Sequence, residues 1–338
     1  MKKAVWYSNR DIRIEEVPRP VPGPDEMVVK ILSCGICGSD LVEWYRLPRA
    51  PLVPGHEIGG EVAETGTSVK KYKPGDRVFI APKIPCNECS YCKNGCFPVC
   101  SNVKERLPGG FIEYILVSRS LIEHGTYLLP DTISYNQSTF IEPLACTVRA
   151  QRLAELRKGQ TVTVLGCGTA GILHIKLAAA MHCRITAADI SAERLAFAER
   201  SGAEEIIDMS DTGSTAETDD SMPKTDAVII CTSALSAVEE AWKRVDKGGA
   251  VVFFAVPAPE EKVDIPINYF WTREVRILTS YYCGPPDIEE AMRLIETGTV
   301  EVDDMITHEL PLDDIQKGYR LAAGGGESLK IIIKPHLQ

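Results

Sequence analysis

No stretch of this chain stays apolar for the ~20 residues needed to cross a bilayer. Basic residues are also in short supply, with 37 Lys and Arg against 47 Asp and Glu and a net charge of −10. The first absence excludes a membrane-spanning helix. The second argues against a nucleic-acid binder, which carries a basic face. A small anionic ligand stays compatible, because one local site can be basic on an acidic protein. The N-terminal MKKAVWYSNRDIRIEE has two lysines but no apolar segment behind them, so it does not read as a signal peptide, and a cytoplasmic location is expected. Internal repeats and long low-complexity tracts are missing too. At 338 residues the chain exceeds the ~250–300 at which single cores stop growing, which implies two domains.

Thiols, by contrast, are plentiful and crowded. Five of the 12 cysteines fall within PCNECSYCKNGCFPVC, Pro85 to Cys100. In a reducing compartment such clusters bind metal or do redox work more often than they form disulfides. Cys86, Cys89 and Cys92 are each separated by two residues, and Cys100 follows after seven more. Two-residue spacers let a tight turn aim successive sulfurs at one point. Four thiolates and no open position describe a closed, structural zinc site. Disulfides and an iron–sulfur cluster are the competing readings, and Cys96 is a bystander in all of them. A closed site holds shape, so the chemistry is expected elsewhere.

The first part of the chain reads as short strands punctuated by Pro and Gly: VWYSN, DIRIEEV, EMVVKIL, GGEVAETG and DRVFIAP. This pattern predicts a barrel-like β domain. Near residue 150 the character changes. TVTVL, RITAADI, EEIIDM, TDAVIICT, GGAVVFFAVP and REVRILTSYY read as strands, with helices between several of them, as a parallel doubly wound sheet requires. Between Ser210 and Lys224 the chain is polar and acidic, which predicts a mobile surface connection. Beyond about Tyr282, PDIEEAMRLIETG and DDIQKGYRLAAGG read as helices and LKIIIKP as a closing strand. The expected division is therefore 1–149 with 283–338, and an inserted 150–282.

Gly166, Gly168 and Gly171 form a GxGxxG directly after the strand TVTVL and open a helix, the context this motif needs for a dinucleotide site. Gly166 permits the tight turn, Gly168 lets backbone amides approach a pyrophosphate, and Gly171 lets helix and strand pack closely. Asp189 ends the next strand. A carboxylate there accepts hydrogen bonds from ribose hydroxyls and repels a 2′-phosphate, which favours NAD over NADP. Arg194 is placed beside the adenine or ribose and is the one feature that weakens that preference. FAD and S-adenosylmethionine use the same fold.

Two further segments carry metal-ligating residue types, SCGICGSDLVEWY from Ser33 and PGHEIGGEVAETG from Pro54. Neither decides anything alone. Together with the four-cysteine loop, the dinucleotide motif, KPGDRV at Lys73–Val78, GGFIEY from Gly109 and Glu-Pro-Leu at Glu142–Leu144, the chain resembles the zinc-dependent medium-chain dehydrogenase/reductase family. The likeness runs essentially the whole length and is greatest to the sorbitol (polyol) and threonine dehydrogenase branches. It implies a GroES-like β-barrel catalytic domain with an inserted doubly wound Rossmann domain. It implies a catalytic zinc on Cys37 and His56, with Glu57 and Glu142 as candidates for the remaining positions and Cys34 as the runner-up thiol. Cys146 is taken as packing. With a structural zinc on Cys86, Cys89, Cys92 and Cys100, that makes two zinc ions per subunit, alongside NAD.

Hydride leaves a carbinol carbon only when its hydroxyl becomes an alkoxide, and zinc lowers the pKa of a hydroxyl it binds. The resemblance gives Ser39 the proton and Asp40 the task of orienting the site. One position departs from the pattern. Many relatives carry a histidine three residues after the serine, and here Val42 stands there, with Glu43 adjacent. Trp44, Tyr45 and Arg46 are expected to line the substrate cleft. Tyr281 and Tyr282 stand near a point where sorbitol dehydrogenases commonly have an arginine, which counts against sorbitol itself. The expected substrate is a polyol, cyclitol or sugar derivative oxidised at a secondary hydroxyl. Threonine 3-dehydrogenase, another secondary-alcohol enzyme, or a non-catalytic dinucleotide-binding redox sensor are the alternatives. An open sheet edge at EVRILTS predicts a homodimer or homotetramer. His124, His174, His182, His308 and His336 have no ligand partners in sequence and are assigned no role.

Overall fold

A computed structural model describes residues 1–210, 223–326 and 328–337. The acidic connection expected between Ser210 and Lys224 lies, apart from its ends, outside the described residues. The chain forms two units, Met1–Pro143 with Cys283–Gln338, and Leu144–Tyr282. The first division falls before residue 149, where the sequence pattern had placed it. It lies inside one helix, Ile141–Leu153, whose continuous pattern hides the change of unit. Among the described residues no helix is long and apolar enough to cross a membrane.

The first unit is built on a mixed seven-stranded sheet. Its central strand, Met27–Gly35, is almost wholly buried, and its apolar run MVVKIL explains why. It pairs antiparallel with Glu57–Thr65, with Tyr114–Val117, and with the chain's last strand, Lys330–Lys334. Ile306–Pro311 runs parallel to that last strand, and Arg77–Ile80 and Thr126–Leu128 continue the other side. Met27, Val29, Ile31, Ile58, Val78, Phe111, Ile331 and Ile333 fill the core. Helix Ile315–Gly324 covers one flank. Gly318 allows this, since a Cβ there would come within 2.7 Å of Ile36. The metal-ligating segments thus leave from adjacent strand ends held by a strand from the far end of the sequence.

The second unit is a six-stranded parallel sheet. Its order is Glu205–Asp208, Arg184–Asp189, Thr161–Leu165, Thr225–Ile230, Val245–Phe253, Arg276–Thr279. Strand order reverses beside Thr161–Leu165, the place where such sheets bind ligands. Helices Thr169–Ala180, Ala192–Arg200 and Leu235–Arg244 supply the crossovers. Arg276–Thr279 closes one end of the sheet. In the segment that precedes it, Ile265, Ile267 and Trp271 are exposed, Trp271 at 78%.

Candidate metal and dinucleotide sites

Strand Met27–Gly35 ends in a short 3-10 turn, Gly38–Leu41, capped by Cys37. The cap is reciprocal. Ser39 N donates to Cys37 Sγ at 3.4 Å and Cys37 N donates to Asp40 Oδ2 at 3.2 Å. Ser39 Oγ donates a second hydrogen bond to the same sulfur at 3.3 Å. Two donors on one sulfur fix the direction in which its remaining lone pairs point. His56 opens from Gly55, whose φ of +91° and crowding against Cys34 Sγ and Phe111 N leave no room for a side chain.

Cys37, His56 and Glu57 each offer a ligand atom, and these lie within 4.8 Å of one another. Ligands held at ~2.0–2.3 Å by a tetrahedral zinc lie ~3.3–3.8 Å apart, so small side-chain shifts suffice. A thiol, an imidazole and a carboxylate, with one position left over, are the donor set of an open zinc site. Behind them Asp40, fully buried, faces His56 Nδ1 at 3.5 Å, the arrangement that fixes which imidazole nitrogen is free for a metal. Burial alone would raise the Asp40 carboxyl, but His56 and Arg46 beside it bring its pKa down. Burial would likewise depress His56. Asp40 and Cys37 outweigh it and carry the imidazole well above its ordinary pKa, so metal binding there releases a proton.

Glu57 has a partner that the sequence did not suggest. Lys330, from the last strand, donates directly to Glu57 Oε2, and both side chains are buried. Glu142 is buried in the first turn of helix Ile141–Leu153 and does not join the Cys37 group. Cys34, the runner-up thiol, turns into the core beside Gly55 and Gly110, where burial raises its pKa, and stays out of the group as well. Arg46 also differs from expectation. It folds back onto the metal loop, with Nη2 2.7 Å from Asp40 Oδ1 and 3.1 Å from Ser39 Oγ. Glu43 is occupied by Asn9 N at 2.8 Å. Trp44 is 44% exposed, and Tyr45 lies between the guanidinium groups of Arg46 and Arg49.

The four-cysteine loop converges as its spacing predicts. Cys86, Cys89, Cys92 and Cys100 have sulfur separations of 3.4 Å (Cys86–Cys100), 3.5 Å (Cys89–Cys92) and 3.9 Å (Cys86–Cys92 and Cys89–Cys100). Four thiolates ~2.3 Å from one zinc sit about 3.8 Å apart. A disulfide would bring two of them to ~2.05 Å. Backbone amides of Cys86, Glu88 and Cys89 donate to these sulfurs, and the sharp turns use positive φ at Asn87 and Gly95. Cys96 points to Asn94 O instead.

In the second unit, Gly166 turns with φ +93° and Gly168 caps helix Thr169–Ala180. A Cβ on Gly171 would stand 1.9 Å from Gly166 O. Asp189, 8% exposed, accepts from Cys167 N at 2.6 Å and from Ser191 N at 2.9 Å. Its carboxylate therefore shapes the glycine turn itself, and the remaining lone pairs are what a ribose would meet. The Arg194 guanidinium lies over Gly168, with Nη1 4.0 Å from the place of a Cβ, and its Nε is buried without a hydrogen-bond partner. Of the other histidines, His174 is buried against Phe254 with Gln151 at Nδ1, and His124 lies by Glu123.

A thiol–imidazole–carboxylate cluster on one unit and a glycine turn at the switch point of a doubly wound sheet on the other are two features that an oxidoreductase combines. Comparison with known proteins narrows this. Residues 23–127 match the alcohol dehydrogenase GroES-like domain, and residues 170–297 match the zinc-binding dehydrogenase domain. The chain is 31% identical to sorbitol dehydrogenase of Rattus norvegicus, over 98% of this chain and 94% of that one. It is 30% identical to erythritol/L-threitol dehydrogenase of Mycolicibacterium smegmatis, over 99% and 98%. A protein of Sinorhizobium meliloti solved with NADP superposes with a TM-score of 0.86 at 30% identity, each chain covered to 99%. The chain belongs to the zinc-dependent medium-chain dehydrogenase/reductase family, in its polyol dehydrogenase branch.

Proposed function

We propose that this protein is an NAD- and zinc-dependent dehydrogenase that oxidises a secondary hydroxyl of a polyol, cyclitol or sugar derivative to a ketone, with hydride transfer to NAD+. The observation that carries the reading is the convergence of Cys37, His56 and Glu57 with a serine hydroxyl beside the thiol. These three residues would hold the catalytic zinc, with Glu142 kept as a further candidate for the remaining position. When bound, zinc supplies a Lewis acid for the substrate hydroxyl. Ser39 Oγ would accept a hydrogen bond from the substrate hydroxyl, whose proton passes on to solvent. Asp40 holds His56 through Nδ1 and leaves Nε2 for the metal. Cys86, Cys89, Cys92 and Cys100 would hold a second, structural zinc. The substrate class is supported by the names of the relatives, sorbitol and erythritol/L-threitol dehydrogenases.

NAD is preferred to NADP because Asp189 puts a carboxylate at the ribose end of the second strand, where it would repel a 2′-phosphate. Gly166, Gly168 and Gly171 would admit the pyrophosphate, and Arg194 would cover the adenosine. The exposed apolar side chains around Arg276–Thr279 support a homodimer or homotetramer formed at that edge. The test is reduction of NAD+ and of NADP+ across sugar alcohols, cyclitols, threonine and simple secondary alcohols, with and without a chelator. A chelator-sensitive signal confined to polyhydroxylated compounds and NAD+ is expected. Turnover of threonine alone, or equal use of both cofactors, would refute the substrate class or the role of Asp189.

A further inference from the structure

Ser39 needs a second partner, and Val42, an apolar residue, offers none. Glu43, next to it, is bound to the backbone of Asn9. Arg46 lies one helical turn beyond Val42 and on the same face, with its own N–H donating to Val42 O at 3.2 Å. From there its guanidinium makes three contacts with the metal loop: Nη2 to Ser39 Oγ at 3.1 Å, Nε to the Ser39 carbonyl at 3.2 Å, and Nη2 to Asp40 Oδ1 at 2.7 Å. Its side chain is 14% exposed and that of Asp40 is fully buried. We infer that Arg46 is a positioning residue for the dehydrogenase reaction proposed above, fixing the Ser39 hydroxyl and anchoring the carboxylate that orients His56.

Two arguments carry this. A guanidinium has donors only. Ser39 Oγ must therefore meet Arg46 with a lone pair, which turns its own hydrogen to its other neighbour, Cys37 Sγ, 3.3 Å away. One lone pair remains to accept a hydrogen bond from a substrate hydroxyl, in one fixed direction. The second argument concerns charge. Asp40 is a buried carboxylate, and a buried charge needs a partner. Arg46, with Nη2 2.7 Å from Asp40 Oδ1, is such a partner. A guanidinium has no acceptor and does not deprotonate in proteins, so Arg46 cannot carry the proton outward. Its part is to hold Ser39 and Asp40 in place while the proton leaves by another path.

The test compares Arg46→Gln and Arg46→Lys in the full-length zinc-loaded protein, each with and without Ser39→Ala. The readouts are kcat, KM and zinc affinity measured by competition with a chromophoric chelator. Loss of an outer partner of a metal site typically costs ~10–100-fold in metal affinity or activity. Arg46→Gln should lower kcat by about that factor with little change in KM, and weaken zinc about ten-fold. Arg46→Lys should recover much of the zinc affinity, since an ammonium satisfies Asp40, and less of kcat. In the Ser39→Ala background the kcat penalty of Arg46→Gln should shrink and the zinc penalty persist. Arg46→Gln matching the parent in both readouts would overturn the inference. So would equal losses for Gln and Lys that track only a lowered melting temperature. If the parent reduces neither cofactor with any alcohol, the proposed function fails, and the zinc affinities still decide the role of Arg46.

Discussion

Removing Lys330 isolates the role of the buried charge pair at the metal pocket. Lys330→Met keeps most of the side-chain volume beside the Phe140 ring, 5.0 Å from Nζ, but strips Glu57 of its cation. Both groups are within 1% of full burial, so water cannot take the place of the ammonium. Breaking such a pair from one side costs ~3–5 kcal/mol, because a charge is left uncompensated. That is a large part of the ~5–15 kcal/mol that holds a folded protein together. The loss should appear as a lowered urea midpoint in chelator-treated protein. Glu57→Gln combined with Lys330→Met removes both charges and should regain most of it. Zinc adds the decisive comparison. A cation held by Cys37, His56 and Glu57 replaces the missing positive charge, so zinc should stabilise Lys330→Met more than it stabilises the parent, by roughly the same ~3 kcal/mol. A variant within ~1 kcal/mol of the parent in chelator would refute the charge argument. Equal stabilisation of both proteins by zinc would remove Glu57 from the ligand set.

Three further outcomes are expected. Burial pushes the His174 imidazole down to about 3 from an ordinary value of 6.5. The unfolded chain therefore binds more protons between these values, and the full contribution of His174 present above pH 6.5 is lost as pH falls, by ~1.4 kcal/mol per unit. Unfolding free energies at pH 7 and pH 5 should show ~2 kcal/mol more acid loss in the parent than in His174→Asn, and parallel slopes would contradict this. Cys92→Ser should cost one zinc per chain and much of the thermal stability, while the folded fraction keeps its turnover. Selective loss of turnover at full stability would make the four-thiol site catalytic. Gly171→Ala drives a Cβ to 1.9 Å from Gly166 O and should weaken NAD binding by more than ~1.4 kcal/mol, a factor of ten, in calorimetry. Undiminished affinity would show that the turn is not the pyrophosphate site.

The parts that could be read from sequence are those written in local spacing. The four thiols, the glycine turn and the apolar runs TVTVL, AVII and KIII each carry their meaning within a few residues, and the strands form where those runs stand. The parts that could not be read depend on partners far apart. Glu57 and Lys330 are separated by 273 positions, and the lysine of LKIIIKP looks like an ordinary charge at a strand end. The choice between Cys34 and Cys37 turns on strand direction, which aims one thiol inward at Gly110 and the other at the pocket. Arg46 had a legible signal, an arginine four residues after Val42, but only the fold of Glu43–Arg46 shows it returning to Ser39. Short strands without strong alternation, such as Tyr114–Val117 and Ile306–Pro311, were missed for the same reason.

The strand Lys330–Lys334 has a consequence for how the molecule is made. It pairs with Met27–Gly35, yet it leaves the ribosome only after the whole of Leu144–Tyr282. Synthesis proceeds from the N-terminus, and segments that form self-contained units fold as they emerge. Leu144–Tyr282 is such a unit and can finish early. The unit begun first must wait, two strands short, with Glu57 lacking its counter-charge until Lys330 has been made. The four-thiol loop has no such dependence and can take up metal during synthesis. The two proposed metal sites of one chain are thereby separated in time, and a chain cut just before Lys330 should retain the brace while never completing the pocket.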